Sequence, residues 1–473
     1  MRATHRSHQA KFRLARLAAS AVLMGSTLVV AAAMSNAAPS LADGGVGVGL
    51  PVGVPAGNYL LTVSGLVATA PTTGVIAQQI GGSGPLLRTA EFFATTSPTT
   101  VTAQVRVAGP SDVFSPVGDS ATAIWTSATL TAANWSYLVR GQSITSPGGA
   151  GVAWHGVNAH LSMTDQDYAN LATTYPQAKA VRIFVNEECW DPFFTAAQAT
   201  ALCHKYDVGS LTGSAAYQAH IQQAVTSITS RGQVAVPVVD IAGRDTPSWI
   251  PPTQVDRFGP DQESLVVYDQ LAGLFKDNPS VVFETTNEPK INATNLYPPN
   301  NVKGDELWAN GGIITVTSMT WNMPGVQQIV DHIRAAGASN LILIDGTSYA
   351  ANLLAVEAHP VLGTNLAYAF HGYAVPDTST QYPPGFDTHV FPLIDPNGPY
   401  KYAAMLTEFG TVQTDTSGAA SAYLQSCITW ANTHGVGWMA YAWYPISYDH
   451  YGLLNSYRPL SLTSRGSTVV SNF

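Results

Sequence analysis

Val281-Val282-Phe283-Glu284-Thr285-Thr286-Asn287-Glu288-Pro289 and Ala403-Ala404-Met405-Leu406-Thr407-Glu408-Phe409-Gly410 decide the fold of this chain. Each is a short apolar run that stops on a carboxylate and then meets a breaker, the pattern of a buried strand. In an α/β barrel the C-terminal ends of the strands face one mouth, so both glutamates are expected there.

Working outward from these runs, similar strand patterns recur at Val152 to Val157, Ala180 to Val185, Val234 to Ile241, Leu341 to Asp345, Ala367 to Phe370 and Gly437 to Trp443. With Val281 to Thr286 and Ala404 to Thr407 they make eight. Amphipathic segments lie between them. In one, Ser214 is the cap, Ile221, Val225 and Ile228 share a face, and Gly232 ends the helix after Arg231. Another carries Val326, Ile329, Val330 and Ile333 and closes at Gly337. This alternation predicts an α/β (β/α)8 TIM barrel over residues 151–473. A doubly wound open sheet is the alternative, but no Gly-rich phosphate loop follows Val157.

Residues 43–145 read differently. Thr, Val, Ala and Ser alternate in stretches such as Tyr59-Leu60-Leu61-Thr62-Val63 and Thr100-Val101-Thr102-Ala103-Gln104-Val105-Arg106-Val107, which predicts a small all-β sandwich before the barrel. Ser146-Pro147-Gly148-Gly149-Ala150 marks the expected boundary. In the sandwich, Trp125 and Trp135 have two roles open: stacking on sugars, or filling the core of a spacer.

The chain has 473 residues, 46% hydrophobic and 11% charged, enough for a large core and more than one domain. Arg2, Arg6, Lys11, Arg13 and Arg16 precede an apolar, Ala-rich stretch and then small residues, so residues 1–42 are expected to be a signal peptide and the protein secreted and extracellular. An uncleaved anchor is the competing reading. No later segment is apolar enough to insert stably in a membrane. Loss of these five cations takes the formal net charge from -9 to -14, which argues against nucleic acid or anionic lipid and suits a neutral polysaccharide or oligosaccharide. Cys189 and Cys203 are expected to form a disulfide, and Cys427 to fill a core position on a helix with Leu424, Ile428 and Ala431. No Cys/His cluster has zinc-ligand spacing, so neither a metal nor another cofactor is expected.

Two carboxylates facing each other can cleave a glycosidic bond, one as acid and the other as nucleophile or base. The run from Phe275 to Pro289, read whole, resembles the acid/base strand of glycoside hydrolase family 5, the cellulase family. The resemblance covers the chain from about Gly151 to the C-terminus. It implies a retaining mechanism with Glu288 as general acid/base and Glu408 as nucleophile. It also implies that Arg182 bonds the nucleophile, that His371 approaches the acid/base and that Tyr373 approaches the nucleophile. Trp443 would lie under the sugar at the cleavage point. Asn287 has an amide suited to a sugar hydroxyl. A cation beside Glu408 would depress its pKa and burial would raise that of Glu288. One departure stands out: the family commonly has a histidine just after the third strand, where this chain has Ala242, followed by Arg244 and Asp245. A β-1,4-glucan is the first substrate expected, with β-mannan, xylan and small β-glucosides behind it.

Each of these residues has a plainer reading beside the functional one. Arg182 could pair with Glu284, which has the parity of Glu288 and points into the barrel, and the two roles are compatible. Glu187 and Glu188 read as solvated loop residues. His155 and His160 stay open, and Trp443 could be barrel packing. Trp154, Trp190, Trp249, Trp308 and Trp321 are candidate sugar platforms. A catalytically silent glycan- or wall-binding protein on the same scaffold is the rival from another class, and an inverting hydrolase the rival mechanism. Endo or exo action depends on the loops, above all the insertion from Lys290 to Trp321.

Overall fold

The computed structural model describes residues 48–49, 54, 56–82, 86–118, 121–132, 137–147, 149–190, 214–240, 259–316, 319–373, 383–398, 402–411 and 418–473. The expected leader, Cys203, Trp135, Trp249, Ala242, Arg244 and Asp245 lie outside them. The chain divides into two compact units, one running to Asn134 with Leu362–Thr364, the other comprising Trp135–Val361 and Asn365–Phe473.

The first unit is a sandwich of antiparallel sheets. Thr72–Gln79 pairs with Leu86–Ala94 and Val113–Gly118 in one sheet, and Gly57–Ala68 pairs with Thr99–Val107 and Ser127–Ala132 in the other. Tyr59, Leu61 and Val63 point into a shared core with Ile76, Phe92, Val105 and Phe114. Gly65, at φ +66°, takes the extra place in a bulge that shifts the inward set to Leu66 and Ala68. Adding one residue to a strand reverses its facing pattern, and glycine reaches this backbone geometry at no steric cost.

In the second unit eight parallel strands close a barrel in chain order: β1 (His155–Ala159), β2 (Ala180–Asn186), β3 (Val234–Asp240), β4 (Phe283–Glu284), β5 (Ile342–Asp345), β6 (Leu366–Tyr373), β7 (Ala404–Gly410) and β8 (Gly437–Trp443). Helices follow the strands: α1 (Asp165–Thr174), α2 (Ser214–Thr229), α3 (Gln262–Phe275), α4 (Val326–Ala335), α5 (Ala355–Ala358), α6 (Pro383–His389), α7 (Ala419–Thr433) and α8 (Ser464–Val470). The expected barrel is therefore present. Along β2, Val181, Ile183 and Val185 face the helices, where Leu171 of α1 and Ile221, Val225 and Ile228 of α2 meet them. The alternate residue Ala180 points inward to Val234, Val236, Val282, Leu343 and Met405. Asp261 caps α3 by accepting from the backbone N–H groups of Glu263 and Ser264.

Two boundaries differ from expectation. Leu138–Arg140, Ser143–Thr145 and Gly151–Val152 form a three-stranded antiparallel sheet, and Ile144 packs with Trp154, Ala180 and Val236 in the barrel's inner core. The turn at Ser146–Ala150 is thus a hairpin within the second unit, closed by Ser146 N–H donating to Ala150 O at 2.8 Å, rather than a linker after residue 145. Val152 belongs to that hairpin, and the first barrel strand starts at His155.

The insertion after β4 is folded. Hairpins Leu296–Tyr297/Val302–Lys303 and Gly311–Val316/Met319–Pro324 flank a helix at Gly304–Asn310, around a small core of Ile291, Tyr297, Leu307, Ile314 and Met323. Cys189 is disulfide-bonded. Cys427 is free and buried, as expected, and burial pushes its thiol pKa up to about 12. Among the described residues no helix is long and apolar enough to cross a membrane.

Candidate active site

The inward positions turn from aliphatic to ionic toward the C-terminal ends of the strands. Arg182 on β2 follows Ala180, Glu284 on β4 follows Val282, Asp345 on β5 follows Leu343, and His371 on β6 follows Ala369. Glu408 reaches the same layer through a bulge. The partners Phe370↔Leu406 and His371↔Glu408 leave Thr407 as the extra residue, which turns Glu408 inward beside Met405's column.

Arg182 is fully buried and bonds four side chains. Its Nε donates to Glu284 Oε2 at 2.6 Å, Nη1 to Asn158 Oδ1 at 2.9 Å and to Glu408 Oε1, and Nη2 to Asn287 Oδ1 at 2.9 Å. Both readings of this arginine are therefore realised together. Asn158 is itself fixed by donating to the carbonyl of Thr407 at 3.0 Å, next to Glu408. Burial alone would weaken the arginine's charge, but Glu284, Glu408 and Asp345 outweigh it.

The Tyr373 hydroxyl donates to Glu408 Oε2. Burial by itself would raise the Glu408 pKa. The charges of His371 and Arg182 and the Tyr373 hydrogen bond reverse that and hold it below the usual carboxylate range. Glu288 sits just beyond β4 at φ +48°, a left-handed conformation unfavourable for a residue with a Cβ, costing on the order of 1–3 kcal/mol. The Asn287 N–H is anchored on Val239 O at 2.8 Å, and Pro289 O accepts from the Tyr349 N–H at 2.9 Å. His371 Nδ1 lies 3.1 Å from Glu288 Oε1. One carboxylate oxygen of Glu288, one of Glu408 and a ring nitrogen of His371 all lie within 4.8 Å of one another. Glu288 is 25% exposed and Glu408 4%, so one is open to solvent and the other enclosed.

Two acids in this layer escaped the sequence reading. Asp240 ends β3 half-buried and accepts from Asn287 Nδ2 at 3.2 Å. Its burial pushes its pKa up to about 6, with the Asn287 bond opposing and the charges of Glu408 and Glu288 adding. Asp345 is fully buried with its Oδ1 3.7 Å from His371 Nε2. Burial, reinforced by Glu284, raises its pKa well above the carboxylate range. Both stand at strand ends with inward parity, the signal that singled out Glu288 and could have found them. Glu284, Asp345 and His371 also lie close enough to share a metal, as do Glu288, His371 and Glu408. The Arg182 guanidinium already supplies positive charge to Glu284 and Glu408.

Trp443 is corrected. The partners Val157↔Ala440 and Ala159↔Trp443 place an extra residue in β8, and that bulge turns Trp443 to the outer face. Its indole is 1% exposed and meets the Tyr175 ring at 5.6 Å in the layer under the helices. Tyr441, two residues earlier and inward, stands where the tryptophan was expected, 6.1 Å from the Tyr373 ring. The other tryptophan candidates fare similarly. Trp154, Trp190 and Trp308 are buried, and Trp321 is half-buried with Nε1 donating to Pro260 O at 3.2 Å. Trp125 packs against the sandwich core. Glu187 is also buried rather than solvated, accepting from the Ser264 hydroxyl at 2.7 Å. His155 stacks on Trp438 at 4.5 Å, a packing role at the start of β1.

A family model for cellulase, glycosyl hydrolase family 5, matches residues 145–447. The chain belongs to that family. Two of its curated relatives are endoglucanase N of Pectobacterium atrosepticum and endoglucanase 5 of Pectobacterium carotovorum subsp. carotovorum. Each is 25% identical over 183 residues, covering 37% of this chain and 33% and 29% of the relative. The chain thus spans about a third of the length of the curated relatives it matches. Similar solved structures include a β-glucanase from Saccharophagus degradans, with TM-score 0.52 and 18% identity over 72% of this chain and 93% of that one. An endocellulase from Pyrococcus horikoshii has TM-score 0.51 and 16% identity over 72% and 98%. At such identity these structures speak for the family 5 barrel fold.

Proposed function

We propose that this family 5 protein is a secreted retaining β-glycoside hydrolase acting on a β-linked glucan, β-1,4-glucan first. Glu408, ionised by Arg182 and Tyr373, attacks the anomeric carbon while Glu288 protonates the departing oxygen. A covalent glycosyl-enzyme results. Glu288 then takes a proton from the water that releases the sugar, and Glu408 leaves as carboxylate. The observation that carries this reading is the approach of the two carboxylates within 4.8 Å around His371. Retaining pairs stand about 5–5.5 Å apart, inverting ones about 6.5–9.5 Å. The endoglucanase names of the relatives support a glucan as substrate.

The test is Glu288→Gln and Glu408→Gln on a panel of aryl β-glycosides and soluble β-glucans. Each variant is expected to lose about 10²–10⁴-fold or more in kcat. NMR of the first-formed product should show the β-anomer. An α-anomer would mean inversion, and binding without turnover by the wild-type protein would favour a silent glycan-binding role.

A further inference from the structure

The two ring nitrogens of His371 face different neighbours. Nδ1 lies 3.1 Å from Glu288 Oε1, while Nε2 lies 3.7 Å from Asp345 Oδ1 in the fully buried layer. Among the described residues neither Nε2 nor Oδ1 has a hydrogen-bond partner. Buried polar atoms left unpaired side by side are costly, and closing this gap to hydrogen-bond length takes a shift of about half an ångström.

The end of β5 is built around this contact. The Asp345 N–H donates to Thr285 Oγ1 at 2.9 Å, and the Asp345 carbonyl accepts from Trp308 Nε1 at 2.9 Å. The turn that follows holds three successive non-glycine residues, Ser348, Tyr349 and Ala350, at φ +56°, +61° and +57°, a backbone region that side chains rarely adopt. From this turn Ala350 O accepts the His371 N–H at 3.0 Å, and the Tyr349 N–H donates to Pro289 O at 2.9 Å, one residue past Glu288. The end of β5 and its turn therefore hold both His371 and the acid/base segment.

We infer that Asp345 is a positioning residue for the acid/base: it shares one proton with His371 Nε2 and so keeps another on Nδ1, directed at Glu288. This role rests on the hydrolase reading and adds to it a residue that acts through another. Glu288 is the acid in the first half of the cycle and a carboxylate in the second, and Oε1 can accept from Nδ1–H in both. A neutral imidazole protonated on Nε2 would instead turn a bare Nδ1 lone pair to Glu288 and draw off the proton meant for the departing oxygen. With one proton held between Oδ1 and Nε2, on either atom, Nδ1 carries its own. Burial, then the charge of Glu284, favours the protonated form of Asp345; Arg182 opposes them and Glu408 and Glu288 add to them. Arg182 directs donors to Glu284, Asn158, Glu408 and Asn287, so a proton is what Asp345 has to share.

The test compares Asp345→Val and Asp345→Asn with the wild-type full chain on phenyl and dinitrophenyl β-cellobiosides. Dinitrophenolate departs without help from an acid, whereas phenolate needs it. In Asp345→Val, kcat/KM is expected to fall about tenfold or more on the phenyl substrate and to stay within about twofold on the dinitrophenyl one. Asp345→Asn, whose amide can donate to Nε2, should recover most of the phenyl rate. Equal falls on the two substrates, or no fall, overturn the positioning role and leave the hydrolase standing. A wild type that cleaves neither substrate sinks the hydrolase reading. Nitrogen NMR of histidine-labelled wild type, assigned with His371→Gln, tests the contact without turnover or an Asp345 variant. Nδ1 of His371 is expected to carry a proton, and a ring protonated on Nε2 alone overturns the proposal.

Discussion

The two halves of the barrel interior differ more than any other neighbouring regions of the molecule. The half nearer the strand starts is lined by Ala180, Val234, Val236, Val282, Leu343, Ala369 and Met405. Two residues further along the same strands stand Arg182, Glu284, Asp345 and His371, with Glu408 among them. Parity and burial are shared, but the first set gains by leaving water and the second loses. Among the described residues Glu284 Oε1, Asp345 Oδ1 and His371 Nε2 have no hydrogen-bond partner. One layer holds the barrel together. The other is carried by it, so that charged groups stand fixed where a reacting sugar would lie.

The largest expected effect comes from removing the cation that joins the second layer. Arg182→Met should cost about 3–5 kcal/mol in urea unfolding, because it leaves Glu284 and Glu408 buried and uncompensated. It should also abolish turnover. If the variant kept its stability but lost activity, the ionic layer would be purely catalytic. Leu343→Ala, one position before Asp345 on the same inward face, should cost about 2–5 kcal/mol through the cavity it leaves. The kcat/KM of the folded fraction should stay within a few-fold of wild type. A collapse of activity equal to that of Arg182→Met would erase the distinction between the layers.

The smallest effect is on pH dependence. Glu408 has a folded pKa below its unfolded value. Its stabilising contribution is therefore present above the unfolded value and is lost as pH falls through the lowered folded one. Activity should persist into the acid range and fall along the same limb. Tyr373→Phe removes one donor to the carboxylate, so the acid limb of kcat/KM should move upward by about one pH unit, the worth of a ~1.4 kcal/mol hydrogen bond to a charged group. An unmoved limb would mean that Arg182 and His371 suffice to hold Glu408 ionised.

Much of the fold could be read from residue order alone. Apolar runs with strand length, punctuated by helices with one apolar face, describe a (β/α)8 barrel whatever the residues at its ends. Runs that stop on Glu288 and Glu408 mark the mouth, because burying a carboxylate inside a strand is costly unless partners wait there. Arg182, His371 and Tyr373 come from the resemblance to family 5, and strand parity alone does not single them out. Asp240 and Asp345 stand at strand ends too, and Asp345 even has a breaker directly after it in Gly346, so the signal that marked the two glutamates was present there as well.

What residue order left open turned on single-residue shifts between strands. Thr407 as an extra residue turns Glu408 inward, and an extra residue in β8 turns Trp443 out and leaves Tyr441 facing the site. A bulge reverses facing for everything beyond it, and the register of two strands far apart in the chain sets where it falls. The hairpin around Ser146–Ala150 is similar: its turn chemistry was legible, but packing of Ile144 under the barrel assigned it to the second unit. Local patterning thus specified which elements form and which end of each is chemical. Long-range pairing chose which aromatic ring faces the layer of Glu408 and Tyr373.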